Sequence, residues 1–319
     1  MSPNPNNSSG PQSNNDIDPN NPPRPSSSLQ GRVVIVTGSG CVEGIGNGRA
    51  AAILLAEAGA YVVCLDIQPH LAETTVSMIK EEFGAYRTSG DGTGTRRPTA
   101  ISLGADVTNP QDCQKAVNFT LETYGRLDIL VNNVGILGAL GTAVDVDPEE
   151  WAKSLAVNIT GAMLMSKYAI PAMMKNPRTV FGVKGSIVNI ASVAGLLGGN
   201  KDHLVYPTSK GAVVNMTRAM ASQHADEGIR VNCVCPGMVF TPMMYAKGMP
   251  RELREDRRKR SLLKTEGNGW DTGCLVRFLA SDQARWMTGA IVPVDAGATA
   301  ALTYPKNEKE AAVFERAKL

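Results

Sequence analysis

A strand, a glycine-rich turn, a helix and a second strand follow one another at residues 32–66, and this succession constrains the fold more than anything else in the sequence. Arg32-Val-Val-Ile-Val-Thr37 and Tyr61-Val-Val-Cys-Leu-Asp66 are continuous apolar runs without polar alternation. Strands of that kind are buried on both faces, so helices must cover both sides of the sheet they form. Between them Arg49–Ala58 is helical in pattern and stops at Gly59, a residue suited to the left-handed turn that ends a helix. The rhythm continues: helix at 70–83, strand at 100–107, helix at 110–124, strand at 127–132, helix at 148–176, strand at 185–191, helix at 206–227, strand at 230–235, helix at 270–280 and strand at 290–294. Seven strands separated by helices predict an α/β fold. It is a single domain over residues 30–302, with a doubly wound seven-stranded parallel sheet and helices on both faces.

The flanks differ in texture. Residues 1–29 hold seven Asn, seven Pro and seven Ser and almost no large apolar side chain. Such a segment cannot bury enough surface to offset its ordering entropy, which predicts a disordered leader. Residues 303–319 form a charged C-terminal tail. The Gly- and Thr-rich stretch 86–98 reads as a mobile surface loop. Residues 251–264, with seven basic and three acidic side chains, read as a solvated helix face near the site, with anion binding as the minority reading.

Composition narrows the partners. Thirty-two basic against thirty acidic residues give a net charge of +2, which offers no reason to expect nucleic acid or an acidic membrane as partner. Cys41, Cys64, Cys113, Cys233, Cys235 and Cys274 contain no CxxC pair, and His70, His203 and His224 are far apart. No metal-ligand spacing is present, and the thiols suit a reduced compartment. No secretory signal or apolar run long enough to span a bilayer occurs, so a cytoplasmic protein with a small-molecule substrate is expected.

Two patterns carry chemistry. Thr37-Gly-Ser-Gly-Cys-Val-Glu-Gly-Ile-Gly-Asn-Gly48 lies between a buried strand and a helix. Free N–H groups and the dipole at a helix N-terminus favour a pyrophosphate there, and glycines permit close approach. A plain tight turn would look the same. Asp66 ends the second strand, where a carboxylate accepts from both ribose hydroxyls and repels a 2′-phosphate. No Lys or Arg follows it directly, which favours NAD(H) over NADP(H). Tyr206 and Lys210 are four residues apart, on one helix face. A phenol titrates near 10, and an adjacent ammonium is expected to lower that value and fit Tyr206 for acid–base work on an alcohol or ketone. Ser192 follows a strand at the sheet edge where open α/β sheets bind ligands, and its hydroxyl could hold the substrate oxygen. Asn158, polar amid apolar helix residues, fits either a water held at an interrupted helical bond or an ordinary core asparagine.

Together these pieces resemble the single-domain short-chain dehydrogenase/reductases of about 250 residues. The resemblance covers about 32–297: Thr37-Gly38 with Gly46-x-Gly48, Asp66, Asp106-Val107, Asn132-Asn-Val-Gly135, Asn158, Ser192, Tyr206-xxx-Lys210, Pro236-Gly237 through Thr241, and Val294-Asp295. It implies a Rossmann fold. It implies that Tyr206 exchanges the proton, Ser192 orients the carbonyl, Lys210 holds the nicotinamide ribose and Asn158 a relay water. Cofactor contacts would come from Gly38, Ser39, Gly46, Asn47, Gly48, Asp66, Ile67, Asp106, Val107, Asn133, Val134, Gly135, Tyr206, Lys210, Pro236, Gly237, Val239 and Thr241.

The sequence departs from the family pattern at the phosphate loop. Seven residues separate Gly38 from Gly46, four more than usual. Val134 replaces a common Ala and Ala296 a common Gly.

The expected activity is hydride transfer between a nicotinamide and a secondary alcohol or ketone of small to medium apolar character. Substrate contacts are expected from Val193–Gly199, His203 and Met238–Met249, with Val193, His203, Met238 and Met243 the leading candidates. Two alternatives remain open: a catalytically silent nucleotide-binding scaffold, and an epimerase or ring-modifying enzyme using transient oxidation. The resemblance also implies a homotetramer or homodimer built on helices 148–176 and 206–227, whose faces carry Ala162, Met163, Ala212 and Ala219.

Overall fold

A computed structural model describes residues 18, 20–88, 94–199, 201–246 and 248–301. Residues 1–17 and 19 of the expected leader, and all of the expected tail, lie outside the described residues. Leu29, at the leader's end, is fully buried and its N–H donates to the Ala58 carbonyl.

The chain runs β1 (Val33–Thr37), α1 (Asn47–Glu57), β2 (Tyr61–Asp66), α2 (Pro69–Phe83), β3 (Tyr86–Thr88), β4 (Arg96–Pro98), β5 (Ala100–Gly104), α3 (Pro110–Tyr124), β6 (Ile129–Asn132), α4 (Pro148–Leu155) and α5 (Gly161–Met173). It continues through β7 (Gly185–Ile190), α6 (Val205–His224), β8 (Ile229–Pro236), α7 (Pro242–Tyr245), α8 (Arg251–Lys259), α9 (Gly269–Ala280) and β9 (Ile291–Val294). Seven strands form one sheet in the order β5-β2-β1-β6-β7-β8-β9, every pairing parallel. The order reverses on either side of β1, and this switch point opens a crevice at the carboxyl ends of the strands.

Alternation along each strand divides the core into two layers. Val34 and Val36 of β1, Val62 and Cys64 of β2 and Val131 of β6 face the side covered by α1, α2 and α9. Val33, Ile35, Val63, Leu65 and Leu130 face the side covered by α3, α5 and α6. Among the described residues no helix is long and apolar enough to cross a membrane.

Two expectations need correction. The stretch 86–98 is not simply a surface loop: β3 and β4 pair antiparallel at its two ends. Arg87 donates to the Ala60 and Ala56 carbonyls at 3.0 and 2.7 Å, and Arg97 donates to the Tyr124 carbonyl. Buried carbonyls at the ends of elements hold this hairpin. The helix expected over 148–176 is interrupted by a π-turn at Ala156–Thr160, a distortion that opens the helical hydrogen-bond ladder.

Candidate active site

At the carboxyl edge of the sheet lies a cleft of about 1010 Å3. The α1 end of it is built by glycine. Helix α1 starts at Asn47 with Gly46 as its N-cap and no side-chain cap, so its first-turn N–H groups are left to a ligand or solvent. A methyl group on Gly48 would collide with the Gly38 carbonyl and the Asn133 amide, so only glycine lets α1 approach β1 this closely. Asn133 Nδ2 donates to the carbonyls of Thr37 (3.1 Å) and Gly38 (2.8 Å), fixing the loop after β6 against the loop after β1.

The long phosphate loop has its own anchor. Arg49, 3% exposed, donates through Nη1 to the Gly44 carbonyl (2.6 Å), through Nη2 to the Cys41 carbonyl (2.7 Å) and through Nε to Thr75 Oγ1 (3.0 Å). Asp66 Oδ2 accepts from the Gly40 N–H and Oδ1 from the Gln68 N–H, both at 3.0 Å. These bonds fix the carboxylate at the cleft wall, where Ile67 also lies. Asp106 Oδ1 accepts from both the N–H and the hydroxyl of Thr108 at 2.8 Å.

Deeper in the cleft, Ser192, Tyr206 and Lys210 converge. Ser192 ends the β7 edge, and its Oγ accepts from the Ala194 N–H at 3.1 Å. Lys210 is buried; its Nζ donates to the Ile190 carbonyl at 3.0 Å and stands 5.8 Å from the centroid of the Tyr206 ring. Burial pushes the lysine down to about 8, the thiols of Cys233 and Cys235 opposing. The adjacent ammonium is expected to lower the phenol's value, but the net shift is upward. Burial raises the Tyr206 value and outweighs the opposing Ser192 hydroxyl. Taking a phenol out of water disfavours its anion, and sequence carries no direct measure of that burial.

Asn158 sits in the π-turn, not on the cleft wall. Its Oδ1 accepts from the Ile136 N–H (2.8 Å), and its Nδ2 donates to the Ile136 carbonyl (2.9 Å) and Ser209 Oγ (3.0 Å). The amide therefore braces the loop after β6 against α6.

All the other anticipated cofactor residues line the cleft except Ser39. Ser39 is fully buried; its N–H and hydroxyl both donate to the Leu65 carbonyl, and its own carbonyl accepts from Thr75 Oγ1. It holds β1 to β2 from beneath the site. Val193, His203, Met238 and Met243 also line the cleft, and His203 Nδ1 is buried without a hydrogen-bond partner.

Sequence reasoning missed several wall residues. Leu253, Arg257 and Arg260 line the cleft, whereas the basic excess of 251–264 pointed to solvent. Gly40 and Cys41 enter through the lengthened loop. Among the described residues no cluster of His, Cys, Asp or Glu could hold a metal ion.

Comparison with known proteins agrees with this geometry. A family described as enoyl-(acyl carrier protein) reductase matches residues 40–299. The meso-2,3-butanediol dehydrogenase of Serratia marcescens is 36% identical over 275 residues, covering 86% of this chain and 97% of that protein. An uncharacterized short-chain type dehydrogenase/reductase of Sinorhizobium fredii is 33% identical, covering 84% of this chain and 98% of its own. The crystal structure of a dehydrogenase/reductase from Sinorhizobium meliloti 1021 superimposes with a TM-score of 0.72 at 28% identity, covering 86% of this chain and 97% of that one. With its seven-stranded parallel sheet and its Ser–Tyr–Lys cleft, the chain belongs to the short-chain dehydrogenase/reductase family of oxidoreductases.

Proposed function

We propose that this protein interconverts a secondary alcohol and a ketone with a nicotinamide dinucleotide, with NAD(H) preferred over NADP(H). The observation that carries the reading is the convergence of Ser192, Tyr206 and Lys210 in one cleft with the uncapped start of α1 and with Asp66. The residues present fit such a cofactor: the start of α1 has no side-chain cap, which leaves its N–H groups for a pyrophosphate, and Asp66 is held where ribose hydroxyls could donate to it. When bound, the nicotinamide would supply or accept the hydride.

The chain's own residues would do the rest. Ser192 would hold the substrate oxygen beside the phenol. Tyr206, protonated at neutral pH as a phenol ordinarily is and held so by burial, would donate its proton to the oxygen as a ketone becomes an alcohol, and take it back in the reverse direction. The Lys210 ammonium beside the ring would stabilise the phenolate left behind. Met238, Met243, Met244, Met249 and Leu197 give the substrate end an apolar lining. That suits the small to medium secondary alcohols suggested by relatives such as the butanediol dehydrogenase.

Asp66 supports the NAD(H) preference: its charge would repel a 2′-phosphate, while Arg49 is committed to Cys41, Gly44 and Thr75. Exposed Met163 and Ala219, with half-buried Ala162 and Ala212, support a homodimer or homotetramer through α5 and α6. Tyr206→Phe tests the reading: cofactor affinity by fluorescence titration should persist while turnover of any accepted alcohol is lost. Full turnover in that variant would remove Tyr206 from the mechanism.

A further inference from the structure

Helix α8 distributes its charges unevenly. Leu253, Arg257 and Arg260 line the cleft. They are spaced four and three residues apart and so form one stripe on the inner face of the helix, Arg260 being its C-cap. Three of the remaining cations have partners, and Arg251, exposed at the start of the helix and off the cleft wall, has none among the described residues. Arg258 meets Glu255 at 3.4 Å, Lys259 meets Asp256 at 3.3 Å and Arg254 meets Glu266 at 2.6 Å. Arg257 and Arg260 have no carboxylate within ion-pair distance among the described residues. Glu266, the acid whose field reaches Arg257, is paired with Arg254 through Oε2, while its Oε1 is buried without a hydrogen-bond partner and beyond ion-pair distance of Arg257.

Arg257 is held in place but incompletely satisfied. Its Nη2 donates to the Val239 carbonyl at 3.1 Å, in the loop that follows β8, while its Nε is buried without a partner. Leaving a guanidinium donor unmet in a desolvated site is unfavourable unless something arrives to accept it. The acids on the cleft wall, Asp66 and Asp106, are at the other side of the sheet. Asp66 ends β2, and β2 and β8 are four strand spacings apart, about 19 Å. No carboxylate therefore lines the β8 end of the cleft, where Arg257 and Arg260 stand beside the apolar wall of Met238, Met243, Met249 and Leu253.

We infer that Arg257 and Arg260 form an anion subsite that receives a carboxylate, sulfonate or phosphate at the far end of an apolar substrate. This deepens the oxidoreductase reading and rests on it for the word substrate. A forked guanidinium matches the planar pair of carboxylate oxygens. The subsite would select anionic ketones over neutral ones of the same shape, because an ester offers the guanidinium a neutral carbonyl acceptor but neither a charge nor an equivalent pair of oxygens. The same chemistry could come from the cofactor's phosphates, but the uncapped start of α1 that suits them follows β1, three strands from β8.

The test uses the full chain with NAD(H). 4-Oxocyclohexanecarboxylate and its methyl ester are compared by nicotinamide absorbance in wild type, Arg257→Gln, Arg260→Gln and Arg257→Lys. Binding of cyclohexanecarboxylate and of cyclohexanecarboxamide is measured in parallel by calorimetry. The wild type should favour the acid through KM. The acid-to-ester ratio of kcat/KM should fall about tenfold in each Gln variant and less in Arg257→Lys, as expected when a charge-assisted bond is lost. Carboxylate binding should weaken in step. Should no ketone be turned over while carboxylate binding still depends on the two arginines, the anion subsite stands and the oxidoreductase reading falls. Equal wild-type binding of carboxylate and carboxamide overturns the subsite. Weaker NAD(H) binding in the Gln variants would reassign the pair to the cofactor's phosphates and overturn it as a substrate feature.

Discussion

Lys210→Met should make the protein more stable while abolishing its proposed activity. The lysine is buried, with one hydrogen bond from its ammonium, to the Ile190 carbonyl. Burial pushes it down to about 8 from the ordinary 10.5. A tenfold change in proton affinity is worth about 1.4 kcal/mol, so the charged form carries a penalty of about 3 kcal/mol in the folded state. Methionine matches the length of the side chain and has no charge to desolvate. It leaves the Ile190 carbonyl without its partner, a loss of about 1 kcal/mol. The net gain at pH 7 is about 2 kcal/mol, or about 4–8 °C in Tm for a domain of this size.

The sign follows from proton counting. Between pH 8 and 10.5 the unfolded chain keeps a proton that the folded chain has lost, so rising pH favours the folded wild type in that window. Below pH 8 both states are protonated and the penalty is present in full. The difference between Lys210→Met and wild type should be constant below pH 8, fall through zero within the window, and leave the variant about 1 kcal/mol the less stable near 10.5, where only the lost Ile190 contact remains. Denaturant or thermal unfolding at matched protein concentration, without cofactor, measures it. A variant no more stable than wild type at pH 7, or a difference flat from pH 8 to 10.5, would refute the assignment of a desolvated ammonium. Such a charge is tolerable where function needs one. In keeping with that, NADH should raise the Tm of wild type more than that of the variant.

Two further perturbations address the cofactor end. Arg49→Met removes two hydrogen bonds that close the phosphate loop and a third to Thr75 of α2; the Kd for NADH, read by fluorescence, should rise about tenfold or more, and an unchanged Kd would mean the loop keeps its shape without the arginine. Asp66→Ala should shift the NADH-to-NADPH affinity ratio about tenfold or more toward NADPH by removing a fixed negative charge; a wild type that already prefers NADPH would refute the NAD(H) preference.

What the sequence disclosed and what it hid divide along a physical line. The strands were legible because burial on both faces demands uninterrupted apolar runs, as at Val33–Thr37 and Ile229–Pro236. Helix α1 was legible from its apolar pattern over Arg49–Ala58 and its stop before Gly59, although it begins two residues earlier, at Asn47. Tyr206 and Lys210 were legible because a helix brings residues four apart together. Features fixed by distant backbone carbonyls were not. The hairpin at 86–98 has no apolar alternation and is held by arginines to carbonyls 27 to 31 residues away. Ser39, beside a glycine at the end of a strand, gave no sign that it would turn inward to Leu65. The left-handed backbone of Ala296, at φ 50°, explains why glycine is common at that position and why a methyl group is tolerated there only against about 1–2 kcal/mol of strain.

The four extra residues of the phosphate loop join parts of the site that are otherwise remote. At one end Gly40 gives its N–H to Asp66; a methyl group on it would meet Leu71 Cβ at 2.5 Å and Asp66 Oδ2 at 2.9 Å. In the middle the carbonyls of Cys41 and Gly44 accept from Arg49, which belongs to the first turn of α1. At the other end Gly44, at φ 66°, lies beneath the Tyr245 hydroxyl of α7, and a methyl group there would strike it. Met243 and Met244 of that helix line the cleft. The insertion thus runs from the acid that would read the adenosine ribose to the wall that would face the substrate, with its midpoint tied to the helix that would hold the pyrophosphate. A longer loop ordinarily carries a larger ordering entropy. Here a single buried guanidinium on an already formed helix holds two of its carbonyls, so the loop is ordered together with α1. Gly40 is therefore restricted to glycine by contact and Gly44 by its left-handed φ, and substitution at either should disturb Asp66 or α7 rather than the helix between them.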